Sequence, residues 1–484
     1  MKVTRFGSVL ALAAILPACG GGGGSSPTPT PIASPSPTPT PTPTTSGCSL
    51  LARQNFVADQ LRQFYLFPET LPASLSPTPY ATVQDYVDAL TSTARSQGRD
   101  RFFTYVTSIA EENAFFQQGS SAGFGIRLSI DSAGRRLFIS EAFEGAPALA
   151  AGLDRGTEIL AIGTSAGTLR NVSDIIAAEG GAGINAALGP STVGTTRVLR
   201  INDAAGTRTV TLTKAEFELT PVSSRYGARI IDDGGRRVGY LNLRTFIDTA
   251  EPALRNAFAS FRAQGITEVI VDLRYNGGGL VRIGELLADL LAANRANQVQ
   301  GYTVFRPELS NNNSTRLFEP QPQSIAATRI AFIGTGATAS ASELVINAFI
   351  PYLGANAALV GSNTFGKPVG QIARDNPACD DRLRVVAFAT QNAARQGDYY
   401  QGLASKVQSS CAAPDDITRQ LGDPQEGSTR AALDFLAGRQ CTRISAVGAL
   451  TASTSREAIA QATRPELLTP LAPTPAQREV PGLF

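Results

Sequence analysis

Residues 330–353 read IAFIGTGATASASELVINAFIPYL. Ile330–Ile333 is an apolar run of buried-strand length, and Ala341–Leu353 has the length and apolar content of a helix. Between them lies Gly336-Ala337-Thr338-Ala339-Ser340-Ala341-Ser342-Glu343, rich in small residues. A strand that turns directly into a helix is the repeating unit of an α/β sheet. The unit recurs upstream, where Val238–Leu243 precedes a helical pattern over Glu251–Gln264 and Glu268–Asp272 precedes one over Leu280–Ala292. Residues 223–448 therefore read as an α/β core with helices packed on a sheet.

Outward from that core the pattern changes. Residues 120–222 switch to period two, with strand-like runs at Gly125–Ile130, Arg136–Ser140, Glu158–Ile162, Arg197–Ile201 and Thr207–Thr213. Residues 48–119 are helical in pattern: Phe56, Leu61, Phe64, Tyr65 and Leu66 recur at three- and four-residue spacing, as do Tyr86, Val87 and Leu90. Phe102, Phe103, Tyr105, Phe115 and Phe116 read as core and interdomain packing. Residues 20–47 hold five consecutive glycines and repeated Pro-Thr/Ser-Pro, a tether with almost nothing to bury. Residues 449–484 are polar and Pro-rich and read as a tail draped over the surface.

The first residues, MKVTRFGSVLALAAILPAC, have the basic start and short apolar run of an export signal. Leu16-Pro17-Ala18-Cys19 resembles the lipobox of bacterial lipoproteins. That resemblance implies removal of residues 1–18, acylation of Cys19, and a membrane-anchored protein of the cell envelope facing the periplasm or exterior. Cys48, Cys379, Cys411 and Cys441 remain, an even number suited to disulfides in an exported chain. Three pairings exist; Cys379–Cys411 as a local clip with Cys48–Cys441 as a long-range bond is favoured. A Cys₄ zinc site is discounted, since no C-x-x-C pair exists.

Composition narrows the chemistry. The 42 Lys+Arg nearly balance 40 Asp+Glu, so nothing points to a nucleic-acid partner. There is no histidine, which removes Ser-His-Asp and Cys-His mechanisms and His-ligated metals. Only Lys2, Lys214, Lys367 and Lys406 are lysines, so a neutral-amine base has few places to sit.

Three clusters carry the candidate chemistry. Ser340 lies where a helix begins, so that free N–H groups and the positive dipole end face charge developing on a substrate oxygen. Ser340-x-x-Glu343 equally fits a capping box, which needs no catalysis. Val360-Gly361-Ser362-Asn363-Thr364-Phe365-Gly366-Lys367-Pro368-Val369-Gly370-Gln371 sets a lysine in a Gly-bounded loop after an apolar strand. Burial there would keep the amine neutral, and Gln371 can bond it without adding charge. Asp272-Leu273-Arg274-Tyr275-Asn276-Gly277-Gly278-Gly279 is a strand end running into glycines. It suits close backbone approach to an oxyanion, or a plain turn.

At these three clusters the sequence resembles the carboxyl-terminal processing, or tail-specific, proteases. The resemblance implies a multidomain α/β protein: a ClpP/crotonase-like serine protease core, a β-rich PDZ domain and an N-terminal helical segment. It implies Ser340 as nucleophile, with Ser342 as runner-up, Lys367 as general base and Gln371 as the group positioning it. The amides of Ala341 and of Gly278 or Gly277 would form the oxyanion hole. Gly123-Phe124-Gly125-Ile126 resembles a PDZ carboxylate-binding loop, followed by PDZ-like runs at 143–153 and 156–160. The chain departs from the family in a longer Ser-to-Lys connection around 350–357 and in a loop over 374–420. The implied partners are protein or peptide substrates with free C-termini, the membrane through the lipid anchor, and an adaptor lipoprotein or further copies of the chain. The mechanism requires no cofactor or metal. The rival readings are a non-catalytic PDZ scaffold with a dead protease core and, on the shared fold, an acyl-CoA enzyme, which the export signal disfavours.

Overall fold

The computed structural model describes residues 47–445, 466–470 and 472–484. Cys19, the signal and tether residues 20–46 lie outside them, and no described helix is long and apolar enough to cross a membrane.

The core sheet has six strands in the order Ala228–Asp233, Arg236–Asn242, Glu268–Asp272, Arg329–Gly334, Ala357–Gly361 and Ser409–Ala412. The first pair is antiparallel and every later pair parallel. Period-two alternation divides the central strands, such as Arg329–Gly334 and Ala357–Gly361, between two buried faces. Ile330 and Phe332 face the helices Ala250–Ala263, Val281–Leu291 and Ala341–Leu353. Ala331 and Ile333 face the helix Gly427–Leu436 on the other side. Parallel neighbours require crossovers, and the helices supply both these and the apolar cover. The nucleophile candidate therefore leaves the carboxyl end of a central strand buried on both faces.

The β-rich region holds the antiparallel strands Ile126–Asp131, Arg136–Ala142, Glu158–Gly163, Thr196–Asp203 and Gly206–Thr213. Ser120–Gly123 pairs with Ala215–Glu218, bringing the two ends of the region together. The helix Val172–Leu188 packs Ile175, Ile184 and Leu188 into its core. Of the N-terminal aromatics, Phe103, Tyr105 and Phe115 are buried, whereas Phe102 is 56% exposed beneath the Arg95 guanidinium.

Three sequence expectations fail. The stretch 374–420 is not a loop: Val369–Asn376 and Asp381–Gln391 form a hairpin on which the helices Leu50–Phe64 and Val83–Leu90 pack. Its charges are paired, Arg382 and Arg384 with the buried Glu112 and Arg53 with Asp381, so polarity did not mean exposure.

The favoured disulfide pairing also fails; the bonds are Cys48–Cys379 and Cys411–Cys441, each with Cα atoms 5.4 Å apart. Cys379 sits in the hairpin turn against which the first helix begins. Cys441 returns beside the sheet strand carrying Cys411, where Ala412 N–H donates to the Thr442 carbonyl at 2.7 Å. Trypsin digestion without reductant should release the two corresponding cross-linked peptide pairs, and neither of the other pairings.

Finally, of the stretch 449–484, residues 449–465 and 471 lie outside the described residues, and the described part is no surface drape. Glu466–Leu467 adds a strand to the β-rich sheet, and Ala476, Val480, Leu483 and Phe484 are buried.

Candidate active site

Ser340 precedes the helix Ala341–Leu353 with φ +56°, a conformation rare outside glycine. Such backbone strain persists only where neighbours hold it. Here Asn276 does so. Its carbonyl accepts from Ala339 N–H at 3.0 Å and from the Ser342 hydroxyl at 3.1 Å, while its amide donates to the Leu243 carbonyl at 2.8 Å. Thr338 donates its hydroxyl to the Leu273 carbonyl at 2.8 Å. Ser342 is fully buried with its hydroxyl committed to Asn276, a bracing part rather than an alternative nucleophile.

Gly278 lies directly over Ser340, and a Cβ there would sit 2.7 Å from Ser340 Cβ. Its N–H donates to the Asn276 side-chain oxygen at 2.9 Å. Gly277 N–H instead donates to the Glu479 carbonyl at 3.0 Å. Ala341 is the first helical residue, where the helix itself supplies no acceptor.

Lys367 follows the strand Ala357–Gly361, and Gln371 lies on the next strand, Val369–Asn376. Lys367 Nζ donates to Gln371 Oε1 at 2.9 Å and lies 5.2 Å from the centre of the Phe103 ring. Gln371 in turn donates to the Phe103 carbonyl. Burial pushes the lysine below its ordinary range, although the carboxylates of Glu479 and Asp100 pull it upward. Among the described residues no hydrogen bond joins Ser340 Oγ to Lys367 Nζ.

Sequence reasoning missed what connects these loops. Glu343, fully buried, accepts on Oε2 from Ser340 N–H at 3.1 Å and Lys367 N–H at 2.7 Å. Its Oε1 accepts from Gly366 N–H at 2.8 Å and the Thr364 hydroxyl at 2.6 Å. One carboxylate thus ties the serine to the lysine loop; the i+3 spacing from Ser340 suggested only a cap. Burial pushes Glu343 up to about 7 despite these four donors.

Beneath the glycines, Arg274 is buried among carboxylates. It bonds Asp272 at 3.0 Å, Glu426 through two bonds of 2.9 Å, and Asp415 at 3.0 Å. Its partner Glu426 is held down at about 2, against a desolvation that alone would raise it. A cavity of about 790 Å³ opens beside these parts, lined among others by Phe103, Gly277, Ala339, Lys367, Leu467 and Glu479. The last two come from the end of the chain. Gly123, Gly125 and Ile126 are brought to Phe484, whose oxygen accepts from Gly125 N–H at 2.9 Å and Ile126 N–H at 3.2 Å.

Residues 237–396 match the model of Peptidase family S41. A curated relative, chloroplastic carboxyl-terminal-processing peptidase 3 of Arabidopsis thaliana, is 26% identical over 320 residues, 64% of this chain and 57% of its own. The carboxyl-terminal-processing protease of a Synechocystis strain is 28% identical over 334 residues, 66% of this chain and 69% of its own. The alignments span little more than half the length of the algal and cyanobacterial relatives from Tetradesmus obliquus and Picosynechococcus, at 53% and 55%. A solved Bacteroides fragilis structure assigned to the S41 proteases is 25% identical, covers 79% of this chain and 97% of its own, and superposes with a TM-score of 0.61.

Proposed function

We propose that this chain, which carries a peptidase family S41 domain over residues 237–396, is a serine endopeptidase working through Ser340 and Lys367. The observation that carries the reading is a lysine amine buried against Phe103, held by neutral Gln371, and tied through Glu343 to a serine at a helix start. Neutral Lys367 takes the Ser340 hydroxyl proton as Oγ attacks the scissile carbonyl. Amides of Ala341 and Gly277 hold the oxyanion: Gly278 N–H is spent on Asn276 within its own loop, whereas Gly277 N–H becomes free once the Glu479 carbonyl that it meets at 3.0 Å moves away. The Lys367 ammonium then protonates the departing amine. The neutral Lys367 left behind deprotonates water as it attacks the acyl carbonyl, and returns that proton to Ser340 Oγ as the acyl group leaves as the free acid. Gln371 positions Lys367 without charging the site.

In this reading Cys19 carries a lipid anchor that holds the protease to the cell envelope, and its substrates are partly unfolded proteins chosen by their tails. The backbone amides at Gly125 and Ile126 form an oxygen-binding nest, and the strand beginning at Ile126 offers an edge for a peptide to join. Purified protein should cut an unfolded substrate with a free apolar C-terminus while Ser340→Ala does not. A C-terminally amidated twin should be cut at least about tenfold more slowly, because amidation removes the charge the nest holds. Activity surviving in Ser340→Ala would overturn the nucleophile, and equal rates for the two substrates would overturn tail selection. A serine-reactive probe that fails to label Ser340 would leave the scaffold reading in its place.

A further inference from the structure

The edge that a substrate tail would join is already taken by the chain's own last residues. Leu128 N–H donates to the Gly482 carbonyl at 2.8 Å, and Phe484 N–H donates to the Ile126 carbonyl at 2.8 Å. The Phe484 oxygen sits in the nest of Gly125 and Ile126, and a Cβ on Gly123 would lie 2.7 Å from the Phe484 carbonyl carbon. The Phe484 ring is buried in the apolar cluster that holds Phe124, Ile126 and Leu128. Leu483 packs on the other side against Phe143 and Phe217.

The same segment reaches the catalytic parts. Its short helix Pro475–Glu479 ends with the Glu479 carbonyl on Gly277 N–H, the amide proposed to hold the oxyanion. A Cβ on Gly277 would lie 2.8 Å from the Arg478 carbonyl, so glycine is what permits this approach. Arg478 stacks its guanidinium 3.8 Å from the centre of the Tyr105 ring at the cavity wall. Residues 475–484 therefore connect the tail nest to the oxyanion amide, as a substrate bound at both places would.

We infer that residues 475–484 are a resident pseudosubstrate that occupies the tail groove and the oxyanion amide together. The substrates that displace it are chain ends carrying the same large apolar pair as Leu483-Phe484. This rests on the protease reading above and adds to it both the tail chemistry preferred and a resting state that substrate must open. A chain end of poor fit cannot compete with an intramolecular occupant at high effective concentration, so occupancy by the strap also sharpens selection.

The test uses the full chain with Leu483→Asp and Phe484→Asp, which places charge in two apolar sites and ejects the strap. Binding is read in a Ser340→Ala background with a fluorescent peptide ending Arg-Glu-Val-Pro-Gly-Leu-Phe. The ejected-strap protein should bind this probe at least tenfold more tightly than the Ser340→Ala protein with its strap intact. Replacing the last two probe residues by alanine should reverse that gain. With Ser340 restored, cleavage of an unfolded substrate at low concentration should rise at least tenfold, and unlabelled probe should suppress it. A chain shortened to residue 470 should behave as the double variant does. Folded variants that neither bind the probe nor cut faster would overturn the inference, showing the segment to be a fixed staple. So would unfolding of both variants. Binding as expected with no cleavage by any form would instead sink the protease reading and leave the strap standing.

Discussion

Lys367→Arg is expected to be as inactive as Lys367→Ala, each losing about four to six orders of magnitude in kcat. Arginine preserves the charge and nearly the length of lysine, so a lysine that merely neutralised a carboxylate would tolerate it. A guanidinium does not deprotonate in proteins and cannot take the Ser340 proton. The site is built for a neutral amine: burial disfavours the ammonium, and among the described residues the only side chain bonded to Nζ is Gln371, which bears no charge.

Activity should rise with pH through the depressed lysine value, below the ordinary 10.5, with no histidine to mimic that limb. Stability shares the sign. Between the depressed and ordinary values the unfolded chain binds a proton that the native lysine has released, so unfolding becomes harder as pH rises across that window. Lys214, pushed down to about 8 by burial, contributes a slope of the same sign. The comparison is therefore between wild type and Lys367→Met, which removes the Lys367 share alone. Cleavage by Lys367→Arg within tenfold of wild type would end the lysine-base mechanism.

What was legible in the sequence is what local chemistry decides. The strand-to-helix unit at 330–353 could be read because its strand alternates between two buried faces and its helix follows within one turn. Ser340 and Lys367 were singled out as candidates from residue type, glycine context and the scarcity of lysine, while their roles came from the family resemblance. The helix Val172–Leu188 was missed because Gly180, Gly181 and Gly183 suppress a helical reading, and Gly180 does break it with φ +61°.

The remainder depends on partners distant in sequence. Cys48 meets Cys379 across 331 residues, which no spacing rule anticipates. The hairpin at 369–391 buries charges whose counter-charges lie near residue 112. Residues 475–484 show no periodicity, and their burial follows from a groove formed some 350 residues earlier in the chain. Glu343 belongs to the same class, since a cap visible at i+3 conceals a bridge to residues 364–367.

That bridge supports the second large effect. Glu343→Gln keeps the shape of the side chain but replaces one acceptor oxygen by an NH₂ group. Each Glu343 oxygen receives two donors, so either orientation of the amide points its hydrogens at two donors. An unpaired buried donor costs about 1–3 kcal/mol, enough here to slacken the tie between Ser340 and the Lys367 loop.

The expected result is a fall in kcat of about a hundred- to a thousand-fold with KM nearly unchanged, since Glu343 is buried and cannot meet substrate. Reactivity of Ser340 toward a serine-directed probe should fall in parallel. The pH profile separates this positioning role from a merely structural one. Burial holds Glu343 at about 7, above the ordinary carboxyl value, so wild type gains a proton as pH falls through 7. The protonated acid turns an O–H toward groups that are themselves donors, and activity drops. Glu343→Gln has no such proton to gain and should lose that limb, keeping only the rise that belongs to Lys367. In stability the sign is opposite: the native state binds the extra proton between about 4.5 and 7, so wild type weakens as pH rises through that window and the variant does not. A Glu343→Gln enzyme with wild-type kcat, or with the acidic limb near 7 intact, would show that the serine and lysine loops hold their geometry without the carboxylate.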